Sequence, residues 1–500
     1  MDHRPNFLLI MTDQQRGDCL GIDGHPVLLT PNMDSIGGAG VRFSRCYTTC
    51  PVCMPARRSL LSGQFPVTHG LVSNKGGLEW WNVPRTLPGV LRDAGYHTCW
   101  VGRSMHQYPA RRRYGFDHMV IHGSGVSDYH AWLDRVAPEG HGGYYGTGVT
   151  YNDWTARPWH LDESFHLTNW TVNQALHFLR SRRDPSCPFF LVVSFTAPHP
   201  PLVPPAFYME RYLRMNLPPV AIGDWATPPV NEGQGDDVSA RRVKLSGEAL
   251  RSCHAGYYGL INHVDDQIRR LLNPVDGVGC MTDNNTVVIL VSDHGEMLGD
   301  HYLWGKGLPY EGSARIPMLL RAPERFGLKQ GCVIESPVCL EDIMPTLLEI
   351  AGIEVPDTVE GQSLLPLMRG EDVSWRSYVH IECASGGSLE ALGNHALTDG
   401  KEKYIWFTQE GREQIFDLSA DPGECHDLSA EPAAADRLSH WRERLVKELE
   451  DRPEGFSDGK RLGAGRPYPR ILPHALRPED GPQNLKGEGQ WDGLWIGKSS

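Results

Sequence analysis

Two short apolar runs, each ending in an acid, constrain this chain more than any other feature. "NFLLIMTD" spans residues 6–13 and "TVVILVSDHG" spans 286–295. Both are aliphatic or β-branched at consecutive positions rather than alternate ones. A strand buried on both faces has that pattern, and such strands belong to parallel sheets covered by helices. "PFFLVVSF" (188–195) and "HTCWVG" (97–102) have the same character. Helical patterns lie between them. Leu167, Trp170, Ala175, Phe178 and Leu179 share one face of 164–181, and Tyr257, Ile261, Val264, Ile268 and Leu271 share one face of 247–272. Thr30-Pro31 and Thr86-Leu87-Pro88 are helix starts with proline in the first turn. The alternation predicts an α/β fold with a doubly wound, mainly parallel sheet.

A chain of 500 residues exceeds what one compact core organises. The texture changes near residue 372. "SYVHIEC", "KYIWFT" and "EQIFDL" then read as short strands, and 432–450 as a closing helix. The expected division is a large α/β domain at 1–372, a small antiparallel α+β subdomain at 373–455, and an extended tail at 456–500 rich in Gly, Pro and charge. A net charge of -13 disfavours nucleic acid or an anionic membrane as partner, so an anionic substrate would need positive charge concentrated locally. The first apolar run, Phe7–Met11, is too short for a signal peptide or a membrane span. The expected location is cytoplasmic, or periplasmic or secreted if a leader was removed.

Two of the buried strands end in candidate metal ligands. Asp13 is followed by Gln14, and Asp293 by His294. Ligands collect at the carboxyl ends of strands in open α/β sheets. If the two strands are neighbours, two carboxylates, an amide oxygen and an imidazole converge, which suits a divalent cation. The bland account of one strand-end Asp is a loop cap. Two such ends, each with a second ligand-type residue, are harder to dismiss.

Cys50 and Cys53 form a C-x-x-C pair, and the twelve cysteines are otherwise scattered. No second C-x-x-C supports a four-cysteine zinc site. The alternative begins with Pro55 in the first turn of a helix running through Leu61, with Gly63 as its stop. Cys53 then sits at a helix N-terminus, where backbone N–H groups and the dipole favour an anion. Arg57, one turn along, points back to the same spot.

Cys53-Met54-Pro55-Ala56-Arg57, continuing into "RSLLSG", resembles the signature of the sulfatase family. The resemblance extends to "PNFLLIMTDQQRGD", "GYHTCWVGRSMH", "FTAPHPP", "VSDHGEMLGDHYLWGKGLPYEGSARIP" and "FDLSADPGECHDLS". It implies the alkaline phosphatase-like fold and release of sulfate from an ester. It also implies a formylglycine made from Cys53 by a transiently bound formylglycine-generating enzyme. One divalent metal is implied, calcium first and manganese as the alternative, held by Asp13, Gln14, Cys53, Asp293 and His294. Catalytic roles fall to Cys53, Arg57, Arg103, His106, His199 and Lys306, and substrate binding to Asn74, Arg103, His199 and Lys306. The aldehyde's hydrate attacks sulfur, His199 and Lys306 protonate the leaving oxygen, and a base such as His106 takes the proton of the second hydroxyl. Met54 replaces a usually small residue, and Arg103 stands where a lysine is usual. The metal pairs Asp-Gln and Asp-His resemble choline sulfatases and phosphonate monoester hydrolases as much as arylsulfatases.

The substrate expected is a small sulfated saccharide. "YYGTGVTYNDWTARPWHLDESFHLTNW" and Trp80-Trp81 offer aromatic faces for a sugar, although core packing explains aromatics equally well. His301 reads as structural, and Arg111-Arg112-Arg113 as either an anion-steering run or a solvated face. Three alternatives stand beside this reading: a phosphonate monoester or phosphodiester hydrolase or a choline-sulfatase-like enzyme on the same scaffold, a non-catalytic anion binder with an unmodified Cys53, and a Cys50/Cys53 redox protein.

Overall fold

The computed structural model describes residues 4–74, 81–123, 126–229, 240–273, 285–384 and 393–476. Its centre is an eight-stranded sheet. From edge to edge the strands are His118–His122, His97–Arg103, Phe189–Pro198, Asn6–Asp13, Thr286–Ser292, Met318–Arg321, Val41–Phe43 and Cys332–Ile334. Of the seven pairings, only the two made by Met318–Arg321 are antiparallel. Asn6–Asp13 is central, with Phe189–Pro198 on one side and Thr286–Ser292 on the other.

Helices cover both faces, as the apolar runs require. Phe7, Leu9 and Met11 pack with Leu60, Leu61, Leu91, Leu347 and Leu348 on one side. Leu8 and Ile10 pack on the other with Val172, Leu176, Tyr257, Ile261, Val264 and Ile268. Each such side chain contributes roughly 1.5–3 kcal/mol when fully buried. A strand apolar on both faces does not fix its own register, because a one-residue slip exposes nothing polar. Its polar ends supply the register here. Asn6 Oδ1 accepts from Phe189 N at 3.1 Å, and Thr12 lies opposite Ser292, which sets Asp13 beside Asp293.

The helix Cys53–Ser62 ends at Gly63, whose φ of 65° is the left-handed cap a glycine adopts without strain. Leu167–His177 is α-helical and passes into a π turn at Phe178–Arg182, and Gly247–Leu272 is one long helix. Thr86 caps Leu87–Asp93 by accepting from Gly89 N. Thr30 instead donates to Asp34 Oδ1 at 2.8 Å, and the N-terminus of Pro31–Gly38 is capped from a distance by Asp265.

Four antiparallel strands, Val379–Cys383, Asn394–Thr398, Glu402–Phe407 and Glu413–Asp417, form the second sheet in chain order. Trp441 and Leu445 of the helix Ala435–Glu448 cover Leu397, Tyr404 and Trp406 on one face. Ile381, Ile405 and Phe416 pack against Tyr47, Met297 and Tyr310 on the other. Over 456–476 the chain is irregular apart from the short 3-10 turn Pro473–Ala475, yet Phe456 and Leu472 are fully buried. Leu472 N donates to Gly70 O at 2.8 Å and Val72 N to Arg470 O at 3.1 Å, so this part of the expected tail is stitched to the turn after the helix Cys53–Ser62. Residues 477–500, Cys280 and Trp80 lie outside the described residues. Among the described residues no helix is long and apolar enough to cross a membrane.

Candidate active site

Four parallel strands deliver the site at their carboxyl ends. Asp13 closes the first strand, Asp293 and His294 follow Thr286–Ser292, Arg103 ends His97–Arg103, and His199 follows Phe189–Pro198. The neighbouring strands that the Asp pairs require are therefore present. Cys53 reaches the same point from the N-terminus of its helix.

Asp13, Cys53, Asp293 and His294 are buried, and one ligand atom from each lies within 4.8 Å of the others. Among the described residues this is the only such group of His, Cys, Asp and Glu. The carboxylate oxygens divide their work. Arg57 Nη2 donates to Asp13 Oδ2 at 3.0 Å and Arg57 Nε to Asp293 Oδ2 at 2.9 Å. The Oδ1 atoms instead each stand 3.7 Å from His294 Nε2, and Cys53 Sγ lies 3.0 Å from that nitrogen. His294 Nδ1 faces Gly295 O at 2.9 Å, which assigns the ring proton to Nδ1 and leaves the Nε2 lone pair to the cluster. Two carboxylate oxygens and an imidazole nitrogen, converging with a helix N-terminal side chain, fit a divalent cation.

Gln14, the amide expected among the metal ligands, is hydrogen-bonded through both ends of its side chain. Its Oε1 accepts from Lys306 Nζ, its Nε2 donates to Glu296, and its backbone is left-handed at φ 74°. Strain of that kind persists where the surroundings over-determine it. Tyr257 OH donates to Gln14 O at 2.7 Å, and Asp293 Oδ1 accepts from Gln14 N at 3.1 Å. Arg103 Nε donates to Asp13 Oδ2 at 3.2 Å, and Arg103 Nη2 lies 3.4 Å from His106 Nε2. His199 Nδ1 donates to Pro200 O at 2.7 Å, and its buried Nε2 has no partner among the described residues. Asn74 Oδ1 accepts from Met54 N at 3.0 Å and so satisfies a first-turn N–H of the Cys53 helix.

The charges set the protonation states. Burial raises the Asp13 carboxyl, but His199, Arg57, Arg103 and Lys306 outweigh it and hold it well below the usual range. Burial and Asp13 push the Cys53 thiol up, while Lys306 and His294 bring it below its ordinary value. Burial opposes a charge on His294, yet Asp293 and Cys53 raise it. His106 and His199 are held well below the ordinary imidazole value, first by burial and then by Arg103 and Lys306 respectively. Arg57, Arg103 and Lys306 place three cationic side chains against two carboxylates, the local positive charge that an acidic chain needs to hold an anion.

Other sequence candidates fall elsewhere. Cys50 packs with Val52 and Cys383, whereas Cys53 faces His294 and Asp13, so the C-x-x-C spacing does not bring its two thiols together. Arg111 pairs with Asp128 on the surface, and Arg113 donates to Asp117 O. His301 Nδ1 accepts from Gly223 N, and its ring packs on Trp225, a structural role. Most aromatics of 141–170 are core: Tyr144, Trp159 and Trp170 are buried together, while Tyr145 and Tyr151 remain exposed. Trp81 is buried under the Arg58 guanidinium. Three site residues escape sequence reasoning. Ser194 Oγ accepts from Arg57 Nη1, Tyr151 OH accepts from Arg103, and Glu296 holds Gln14. Glu296 sits two residues past His294, and Tyr151 lies in the aromatic stretch. Ser194 carries no signal of its own.

The fold and site define a hydrolase of the alkaline phosphatase-like class, with a buried ligand cluster and a cationic anion cradle at the carboxyl edge of a mainly parallel sheet. Residues 5–353 match the family described as Sulfatase, and residues 299–451 the one described as N-sulphoglucosamine sulphohydrolase, C-terminal. The chain is 40% identical over 483 residues to an arylsulfatase of Clostridium perfringens (strain 13 / Type A), covering 93% of this chain and 98% of that one. It is 30% identical over 503 residues to a choline-sulfatase of Rhizobium meliloti (strain 1021), covering 93% of each. The crystal structure of phosphonate monoester hydrolase of Agrobacterium radiobacter superposes with a TM-score of 0.74 at 25% identity, over 89% of this chain and 95% of that one. The chain belongs to the sulfatase family and is a sulfuric ester hydrolase. Membership implies a divalent metal and a formylglycine.

Proposed function

We propose that Cys53 is converted to formylglycine by a formylglycine-generating enzyme and that the mature protein releases sulfate from a sulfated saccharide. The observation that carries this is the meeting of the Cys53 side chain with Asp13, Asp293 and His294 inside a ring of Arg57, Arg103 and Lys306. An aldehyde at 53 supplies, as its hydrate, one hydroxyl to attack sulfur and a second whose deprotonation expels sulfate. A divalent cation held by Asp13, Gln14, Asp293, His294 and the side chain at 53 would supply Lewis-acid polarisation and a lowered hydroxyl pKa.

The chain's own side chains supply the rest. Arg57 takes the outer oxygens of both carboxylates and leaves their Oδ1 atoms turned inward. Arg103 and Lys306 bind sulfate oxygens, and Gln14, drawn to Lys306 and Glu296, sets the height of the ammonium. Lys306 Nζ hands the departing oxygen a proton, and His199, neutral with its own proton on Nδ1, turns its unpartnered Nε2 to the same space. His106, kept neutral by burial and Arg103, is the base beside Arg103. Asn74 steadies the first turn of the Cys53 helix.

The saccharide is supported by the match of 299–451 to a family named for an amino-sugar sulfohydrolase and by the exposed Tyr145 and Tyr151. The imidazole of His294 favours manganese, and the carboxylates suit calcium equally. The deciding experiment is mass analysis of the peptide spanning residue 53 from native-host protein. Formylglycine is about 18 Da lighter than cysteine, and an unmodified thiol in active protein overturns the proposal. Dialysis against a chelator abolishes turnover, and separate return of Ca2+ and Mn2+ identifies the ion. A higher kcat/KM on a phosphonate monoester than on a sulfate ester would shift the assignment to phosphorus.

A further inference from the structure

Arg103 stands where the family resemblance expects a lysine. The two cations differ in what they demand of their surroundings. An ammonium is a point charge that works in any rotation, whereas a guanidinium is a planar fork whose donors must be aimed. An arginine in this place therefore needs partners that fix its plane. Asp13 Oδ2 takes Nε at 3.2 Å. The Tyr151 hydroxyl takes Nη2, and the guanidinium carbon lies 5.6 Å from the Tyr151 ring centroid. The same ring stacks on His199, with centroids 4.4 Å apart and planes at 30°. One side chain thus touches both the sulfate-binding arginine and the histidine facing the leaving group. Tyr151 is 38% exposed at the mouth of the site, while Arg103 is 3% exposed and His199 fully buried.

We propose that Tyr151 is the positioning residue of the site: its hydroxyl fixes the plane of the Arg103 fork toward the sulfate, and its ring fixes the His199 imidazole toward the leaving oxygen. The inference rests on the roles proposed above for Arg103 and His199. Tyr151 acts through these two side chains. Its two contacts are separable, because phenylalanine keeps the stack and loses the hydroxyl, and leucine loses both.

The test is calorimetric binding of inorganic sulfate to the metal-loaded protein, with kcat and KM for 4-nitrophenyl sulfate, in Y151F, Y151L, R103K and R103K/Y151F. Being half-exposed, Tyr151 can be replaced without opening the core, and an unchanged melting temperature checks this. Y151F is expected to weaken sulfate about tenfold and to raise KM in proportion, with kcat changed less, as loss of a hydrogen bond to a charged group predicts. Y151L adds a loss in kcat through His199. In the R103K background the Phe substitution changes sulfate affinity less than twofold, because an ammonium needs no orienting. The proposal is overturned if Y151F binds sulfate within twofold of wild type, or if Phe costs the same tenfold in the R103K background as it does beside Arg103. The sulfate comparison decides the inference by itself, and wild-type turnover of the ester tests the hydrolase function separately.

Discussion

At the scale of single residues the site is held by an imbalance that Arg57 resolves. Asp13 and Asp293 are both buried, and their inner oxygens face the same imidazole. Without that guanidinium, Asp13 keeps only Arg103 and the buried Asp293 loses its arginine. Removing one partner of a buried ion pair typically costs about 3–5 kcal/mol. Arg57→Ala should therefore lose stability of that order in urea denaturation with chelator present, and less with metal bound, because the cation takes over part of the neutralisation. Its turnover should fall at least about 10²-fold, as for loss of one anion-stabilising donor. The two cysteines of the C-x-x-C pair separate just as cleanly. Cys53→Ala should abolish turnover, while Cys50→Ala, which removes a thiol packed against Cys383, should keep it. Equal losses in steady-state assays of the two variants would contradict the division of roles drawn from the contacts.

At the scale of elements, the helix Cys53–Ser62 depends on the short helix after it, Pro66–His69. His69 closes that second helix and is buried. Its Nδ1 accepts from Leu71 N at 3.2 Å, so the ring proton sits on Nε2, 3.2 Å from Ser59 Oγ. Burial, then Arg58, pushes His69 down from 6.5 to about 3. The native state refuses a proton that the unfolded chain accepts below 6.5. This part of the stability is fully present above pH 6.5 and is lost as pH falls toward 3, at up to about 1.4 kcal/mol per pH unit for one such group. Melting temperatures of His69→Gln should fall less steeply than wild type between pH 6.5 and 5. A steeper fall would reverse the sign. The helix was legible in the sequence because Pro55 and Gly63 punctuate it at both ends. Its N-terminal partner was not, since Asn74 reaches Met54 N only after the intervening chain has turned back.

At the scale of the molecule, the antiparallel sheet is keyed to the catalytic body by one buried ion. Lys403, fully buried, pairs with Glu311 and Glu424 at 2.8 Å each. Lys403→Met should strand Glu424 in the seam and leave Glu311 to Arg315 alone, lower stability by about 3–5 kcal/mol and lower the temperature of irreversible inactivation, as read by calorimetry and residual activity. Nothing around Lys403 in "KYIWFT" announces such a role, because its partners lie on segments distant in sequence. The doubly wound sheet, by contrast, was legible in runs such as "NFLLIMTD", since apolar residues at every position leave a strand no solvent-facing side. The same holds for the family signature, which local spacing carries. Asp13, Cys53, Asp293 and His294 were nameable for that reason. What only the folded chain decided was strand order and register, which set Asp13 beside Asp293, and the meeting of Tyr151 with Arg103 and His199. Alternation and spacing are local properties that a sequence displays. Which strand lies next to which, and which loop closes over a strand end, is fixed by packing among residues tens to hundreds of positions apart.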